Sequence, residues 1–149
     1  MRILDRSGAD YTVHTYECAE FVDGQQVADM LHFPHEIMYK TLVTRGKSGA
    51  YYVFVIPIDA ELSLKKAARS VGEKSVEMIH VKDIRAVTGY IRGGCTPIGM
   101  KKQYTTRIDR SAQELATVIV SGGRLGAQIE LRPEDLAGAS LAEYADLQE

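Results

Sequence analysis

Fifteen positions, Thr88-Gly-Tyr-Ile-Arg-Gly-Gly-Cys-Thr-Pro-Ile-Gly-Met-Lys-Lys102, hold four glycines, one proline and three cations. That composition disfavours both helix and strand. A glycine pair lets backbone N–H groups approach a ligand with no Cβ in the way, and successive N–H groups in such a turn make a concavity that attracts oxyanions. Pro97 fixes the exit direction, and Lys101 and Lys102 place cations at the rim. The stretch reads either as a loop that holds a polar, anionic group against main chain, or as a glycine-rich connection between elements.

Three further sets of side chains could do chemistry. In Met38-Tyr-Lys-Thr-Leu-Val43, strand alternation puts Lys40 on one face with Met38 and Leu42, out of pattern for an apolar face. Its ammonium either snorkels at the sheet edge or is held in a pocket to meet an anion or a polarised carbonyl. Cys95 in the glycine loop is either a nucleophile with a lowered pKa or a cysteine that packs, and no partner base is evident. His14, His32, His35 and His80 read as surface histidines, because Pro34 spoils the one close pair and no cluster completes a metal site. Arg92, Lys101, Lys102 and Arg107 make either a phosphate-facing patch or a solvated basic face.

The elements that must position these groups follow from periodicity and caps. Tyr11 to Tyr16 reads as a strand, and Gln25 to Leu31 as a helix with Asp23 as its N-cap and Phe33-Pro34 as its stop. Ile37 to Arg45 and Ala50 to Pro57 form a hairpin across Gly46-Lys-Ser-Gly49, and the apolar run of the second strand makes it central in a sheet. Leu64 to Val71 is a helix ended by Gly72. Val76 to Ile79 is a short strand, and Val81 to Ala86 a short helix that delivers the chain to the glycine loop. Beyond it, Gln103 to Ile108, Leu115 to Val120 and Gly126 to Leu131 read as strands, with Ser111 and Glu114 at capping-box spacing. Pro133, Glu134 and Asp135 open an acidic helix that ends the chain. The mixture lacks strict βαβ alternation and predicts an α/β (α+β) fold with one mixed, strongly curved, barrel-like sheet flanked by helices.

At 149 residues the chain is read as one domain, 1–149, long enough to bury about 70% of its unfolded surface. A net charge of −2 gives no global pull toward nucleic acid, so RNA contact must use a local patch. Cys18 and Cys95 lie far apart and fit free thiols in a reducing cytoplasm. The first residues lack the apolar core of a signal peptide, and no apolar run approaches a spanning length.

His14-Thr-Tyr16, Tyr39-Lys-Thr-Leu42, the block from Thr88 to Lys102 and Ser121-Gly-Gly123 together resemble the YbaK/EbsC family, in the family's order and from about Tyr11 to Leu136. The resemblance implies a stand-alone aminoacyl-tRNA deacylase, related to the editing domain of bacterial prolyl-tRNA synthetases, that clears cysteine from the proline tRNA. A pocket separates such near-isosteres poorly by binding alone, so a second, hydrolytic site is needed. In the family the thiol of the bound cysteine is thought to attack its own ester, so the protein supplies orientation and charge rather than a nucleophile. Carried over by position, Lys40 and Gly93 are the catalytic positions. Tyr16, Phe21, Thr41, Gly94, Thr96, Pro97, Ser121 and Gln128 bind the aminoacyl end, and Arg92, Lys101 and Lys102 face the tRNA. The resemblance implies the 3′ end of tRNA(Pro) as partner, a ternary complex with prolyl-tRNA synthetase, no membrane, and neither cofactor nor metal. Two positions depart from the family: Gln128 stands where an aspartate is usual, and Asp23 where a phenylalanine precedes the helix glycine, with Phe21 filling that space. Two other readings remain open, a relative that clears alanine by water attack and a non-catalytic binder of aminoacyl-tRNA or another small ligand.

Overall fold

The computed structural model describes residues 2–17, 24–92 and 94–149. The expected N-cap Asp23, Phe21, Cys18 and Gly93 therefore lie outside the described residues. Five helices are described, α1 (Arg2–Ser7), α2 (Gly24–Leu31), α3 (Leu64–Val71), α4 (Ile84–Thr88) and α5 (Pro133–Ser140). Eight strands accompany them, β1 (Tyr11–Thr15), β2 (Tyr39–Gly46), β3 (Tyr51–Pro57), β4 (Val76–Met78), β5 (Thr105–Asp109), β6 (Val118–Ser121), β7 (Ala127–Leu131) and β8 (Glu143–Ala145).

The mixed α/β class holds, and the strands divide into two hydrogen-bonded sheets. One is antiparallel with order β1-β7-β6; the other has order β4-β2-β3-β5-β8, with β3–β5 and β5–β8 parallel. A single parallel bridge, Met38 to Ile119, joins them, and among the described residues no ladder closes them into a barrel. The hairpin runs in register from Tyr39 opposite Pro57 to Arg45 opposite Tyr51. β3 sits at the centre, with Val53 to Ile56 fully buried, as its unbroken apolar run requires.

Between the sheets, Tyr39, Val55 and Ile108 pack against Val120, Ile129 and Leu131, and Ile98 of the glycine loop enters the same core. On the outer face of β3, Phe54 and Ile56 are covered by Ala67 and Ala68 of α3. That helix begins at Ser63, whose hydroxyl accepts from Lys66 N, and ends at Gly72 in the left-handed conformation. α2 covers the seam, with Val27 and Ala28 on Met38, Ile58 and Ile119.

Three expectations are corrected. The chain does not end in a helix: α5 stops where Leu141 turns left-handed, and Glu143–Ala145 adds β8 in parallel to β5. The pairing is held by Asp109, whose carboxylate accepts from the backbone N–H of Leu147 and Ser111 and from the Gln148 amide. The same carboxylate caps the 3-10 turn Arg110–Glu114, so Ser111 and Glu114 form no capping box. At the other end, α1 was not expected; it is anchored by Leu4, which is fully buried in the core between the sheets.

Candidate active site

A cavity of about 390 Å³ opens along the outer edge of β2, within the size range of small-molecule sites. β4 pairs only with Thr44 to Gly46, so Tyr39 to Val43 turn an edge toward the cavity that no strand among the described residues covers. This is why side chains from both faces of β2, Lys40 and Leu42 as well as Thr41 and Val43, line one space.

Lys40 is half-buried, and among the described residues its ammonium makes no hydrogen bond or ion pair. Burial pushes its pKa below the ordinary lysine value, and the carboxylates of Glu61 and Asp59 pull the other way. Of the two sequence readings, the side chain takes the place in a pocket. Next to it, the Thr41 hydroxyl is buried without a partner. Such an orphan is costly in a folded protein, and the Thr96 hydroxyl of the glycine loop is a second one.

The three-stranded sheet supplies the opposite wall. Gln128 is registered between His14 on β1 and Ser121 on β6. Tyr16, two residues beyond His14, is tied down by its backbone N–H to Gly126 O at 2.9 Å. Tyr16, Ser121 and Gln128 therefore meet at one end of that sheet, and all three line the cavity.

The glycine loop closes the site. Gly89 caps α4 with φ 84°, and the Lys101 N–H returns to Thr88 O at 2.8 Å, so the base of the loop is a closed neck. Tyr90 fills the loop and donates to Ile98 O at 2.6 Å. Arg92 and Cys95 line the cavity, whereas Gly94, Thr96 and Pro97 are buried and do not line it. Lys101 and Lys102 are exposed and stand outside it. Arg107 does not join the cationic patch: it donates to Ser70 O and Thr106 O and pairs with Glu143, beside β8.

The surroundings of Cys95 favour a thiol that packs over a nucleophile. Burial pushes its thiol up to about 11, only partly offset by a hydrogen bond with Thr88, so it stays protonated at neutral pH. Two histidines are also not simple surface groups. His14 contacts Glu130 at 3.1 Å and stacks edge-on against Phe33, and His35 sits between two carboxylates. Among the described residues no group of three or more His, Cys, Asp and Glu could hold a metal ion.

Sequence reasoning missed the apolar wall of Met78, Ile79, Val81 and Ile84. Met78, Val81 and Ile84 fall on a three-residue strand, a 3-10 turn and a five-residue helix, and Ile79 just beyond the strand, all too short to show a period.

The model of the aminoacyl-tRNA editing domain matches residues 19–139, a span that holds Lys40, the glycine loop and Gln128. The chain belongs to that family. An Enterococcus faecalis protein described as the Cys-tRNA(Pro)/Cys-tRNA(Cys) deacylase EbsC is 42% identical to this editing domain over 148 residues, 99% of this chain and 90% of its own. A proline–tRNA ligase of Thermosipho africanus is 31% identical over 78 residues, 52% of this chain and 14% of the ligase. Among solved structures, one described as a trans-editing enzyme for prolyl-tRNA synthetase superposes with a TM-score of 0.83 at 24% identity, covering 100% of this chain and 98% of its own. A hypothetical protein superposes at 0.90 and 24% identity, covering 99% and 97%. At these identities the two structures share the fold with the editing domain. Among the described residues no helix is long and apolar enough to cross a membrane.

Proposed function

We propose that this protein is an aminoacyl-tRNA deacylase that edits in trans, clearing cysteine from mischarged tRNA(Pro). The chain acts as one editing domain over residues 1–149, in the cytoplasm, and meets its substrate in a ternary complex with prolyl-tRNA synthetase. Family membership and the similarity to EbsC and to part of proline–tRNA ligase support the substrate class.

The observation that carries the mechanism is the charge of the cavity. Its described lining brings the cations Lys40 and Arg92, a neutral thiol at Cys95, and no carboxylate or imidazole. Such a site can orient an ester and stabilise negative charge that develops on it, but offers neither of the commonest bases, a carboxylate or an imidazole, to activate an external nucleophile. The substrate thiol fills that role. It adds to its own ester carbonyl, forming a C–S bond while the C–O bond to the 3′ ribose breaks. The thiol proton ends on the departing ribose oxygen, and the resulting cyclic thiolactone opens with water to free cysteine.

In this reading the Lys40 ammonium faces the reacting ester and the 3′ end. The Gly93 main chain lies against the aminoacyl group, and Thr41, Tyr16, Phe21, Ser121 and Gln128 fix its orientation. Gly94, Thr96 and Pro97 shape the wall from behind. Arg92, Lys101 and Lys102 engage tRNA phosphates.

Comparison of Cys-tRNA(Pro) with Ser-tRNA(Pro) tests the chemistry, because the two differ by sulfur for oxygen. Cleavage of the cysteinyl ester alone, blocked when its thiol is alkylated, is the expected result. Equal cleavage of both esters would overturn the thiol-assisted route.

A further inference from the structure

A charged side-chain network outside the cavity centres on His35. Its Nε2 lies 2.8 Å from Asp29 Oδ1 on α2, and its Nδ1 lies 2.9 Å from Asp59 Oδ2, just past the end of β3. A neutral imidazole has one N–H, so in either tautomer a ring lone pair would face one of the two carboxylates. Only the imidazolium donates to both. Gln25 of α2 donates to the other oxygen of Asp59 at 2.8 Å, so both Asp59 oxygens are engaged.

The backbone brings this network to Lys40. The turn at His35 runs directly into β2, and Met38 N–H donates to His35 O at 3.1 Å. Ile58 N–H donates to Met38 O at 2.9 Å, and Lys40 stands opposite Ile56. Asp59 thus extends from the strand end that flanks Lys40. The order of charges is Asp29, His35, Asp59, Lys40, alternating in sign.

We propose that Asp59, gripped by His35 and Gln25, is a positioning residue for Lys40, and that the grip holds while His35 carries both ring protons. Lys40 has no direct ion pair among the described residues, so the carboxylates that favour its charge act from a distance, and a carboxylate that moved would change it. The influence is mutual: hydrogen bonds from Gln25 and His35, and then the charges of His35 and Lys40, hold the Asp59 carboxyl below its ordinary range. The titratable groups around the network are Asp29 from α2, Asp59 and Glu61 from the segment after β3, Lys40 from β2, and exposed Glu36 on the His35 turn itself.

The direction of the pH dependence follows. Hydrogen bonds to Asp29 and Asp59 raise the His35 pKa above 6.5. The grip is complete below that ordinary value and loosens as pH rises through the higher folded one, where the neutral ring keeps a single N–H and Gln25 still donates. At the same point α2, whose Val27 lines the cavity, loses one of its ties to the β3 end, while Gln25 keeps the other. Any effect on turnover rests on the catalytic reading of Lys40 given above; the coupling between His35, Asp59 and Lys40 does not.

Side-chain NMR of the intact wild-type protein decides the coupling without a variant. His35 is expected to titrate above 6.5, with the Lys40 Cε and Nζ signals showing an inflection at the same pH. Asp59→Asn is expected to lower the proton affinity of Lys40 roughly three- to tenfold, the size of one charge at several ångströms in a half-buried site, and Asp59→Glu to restore it. A Lys40 titration blind to His35, or unchanged in Asp59→Asn, would overturn the proposal. In turnover of Cys-tRNA(Pro), Asp59→Asn should reduce kcat several-fold with KM held, and an unchanged kcat would refute the positioning role. Failure of the wild type to deacylate would count against the proposed function alone, because the NMR coupling would still stand or fall by itself.

Discussion

Gly94 rests on the backbone of Arg124: a Cβ at Gly94 would lie 3.0 Å from Arg124 Cα and 3.3 Å from its N and C atoms. The glycine loop and the turn between β6 and β7 are thereby pressed together, which brings Cys95 and Arg92 to the same cavity as Ser121 and Gln128. Because the neighbour is main chain, it cannot rotate away. Gly94→Ala is expected to lift the loop, lower kcat/KM by at least tenfold and cost about 1 kcal/mol of stability. Steady-state deacylation and denaturant unfolding read the two effects, and a variant with wild-type kcat/KM would show that this contact does not shape the site.

Thr41 tests whether an orphaned hydroxyl is kept for the substrate. Its Oγ1 is buried with no partner, at the edge of the cavity. Thr41→Val removes the unpaired group with little change of shape, so stability should stay level or rise by about 1 kcal/mol. KM for the aminoacyl-tRNA should increase several-fold. A loss of stability would mean that the hydroxyl already serves the fold.

Asp109 tests the C-terminal lock. Burial pushes its carboxyl up, but hydrogen bonds from Ser111, Gln148 and the Leu147 backbone outweigh that and hold it below 3.8. Asp109→Ala strands these donors and should cost about 2–3 kcal/mol, read as a fall in Tm. The wild-type carboxylate contributes its full stability above the ordinary value and loses it as pH falls through the lower folded one. Acid unfolding of Asp109→Asn should accordingly be less steep than that of the wild type.

Much of the scaffold could be read from the residues. The unbroken run from Ala50 to Pro57 placed β3 at the sheet centre, and the chemistry of Gly72 ended α3 where it ends. Lys40 was visible because it breaks an apolar face, and a broken pattern is what a site imposes on a strand. β8 was not visible: Glu143-Tyr-Ala145 is too short for a period, and its pairing depends on Asp109, whose bond to Leu147 spans 38 positions. The His35 network escaped for the same reason, since Asp59 lies 24 positions away and each partner alone looks like an ordinary surface charge. The strands divide into two sheets that, among the described residues, share one bridge, Met38 to Ile119, a matter of packing rather than of local preference.

Lys101 and Lys102 test whether capture is separate from chemistry. Both are exposed and stand outside the cavity, while Lys40 lines it. Replacing Lys102 by alanine should lower kcat/KM about two- to threefold, leave kcat in place and reduce the slope of log affinity against log salt by about one. A matching fall in kcat would contradict this division.

The most direct measurement is deacylation of Cys-tRNA(Pro) and Ala-tRNA(Pro), side by side, by wild type and Lys40→Ala. Rapid loss of the cysteinyl ester alone, reduced at least a hundredfold by the substitution (about 2.7 kcal/mol or more of transition-state stabilisation), is the predicted result. Loss of the alanyl ester at a comparable rate, or full activity without Lys40, would contradict the account.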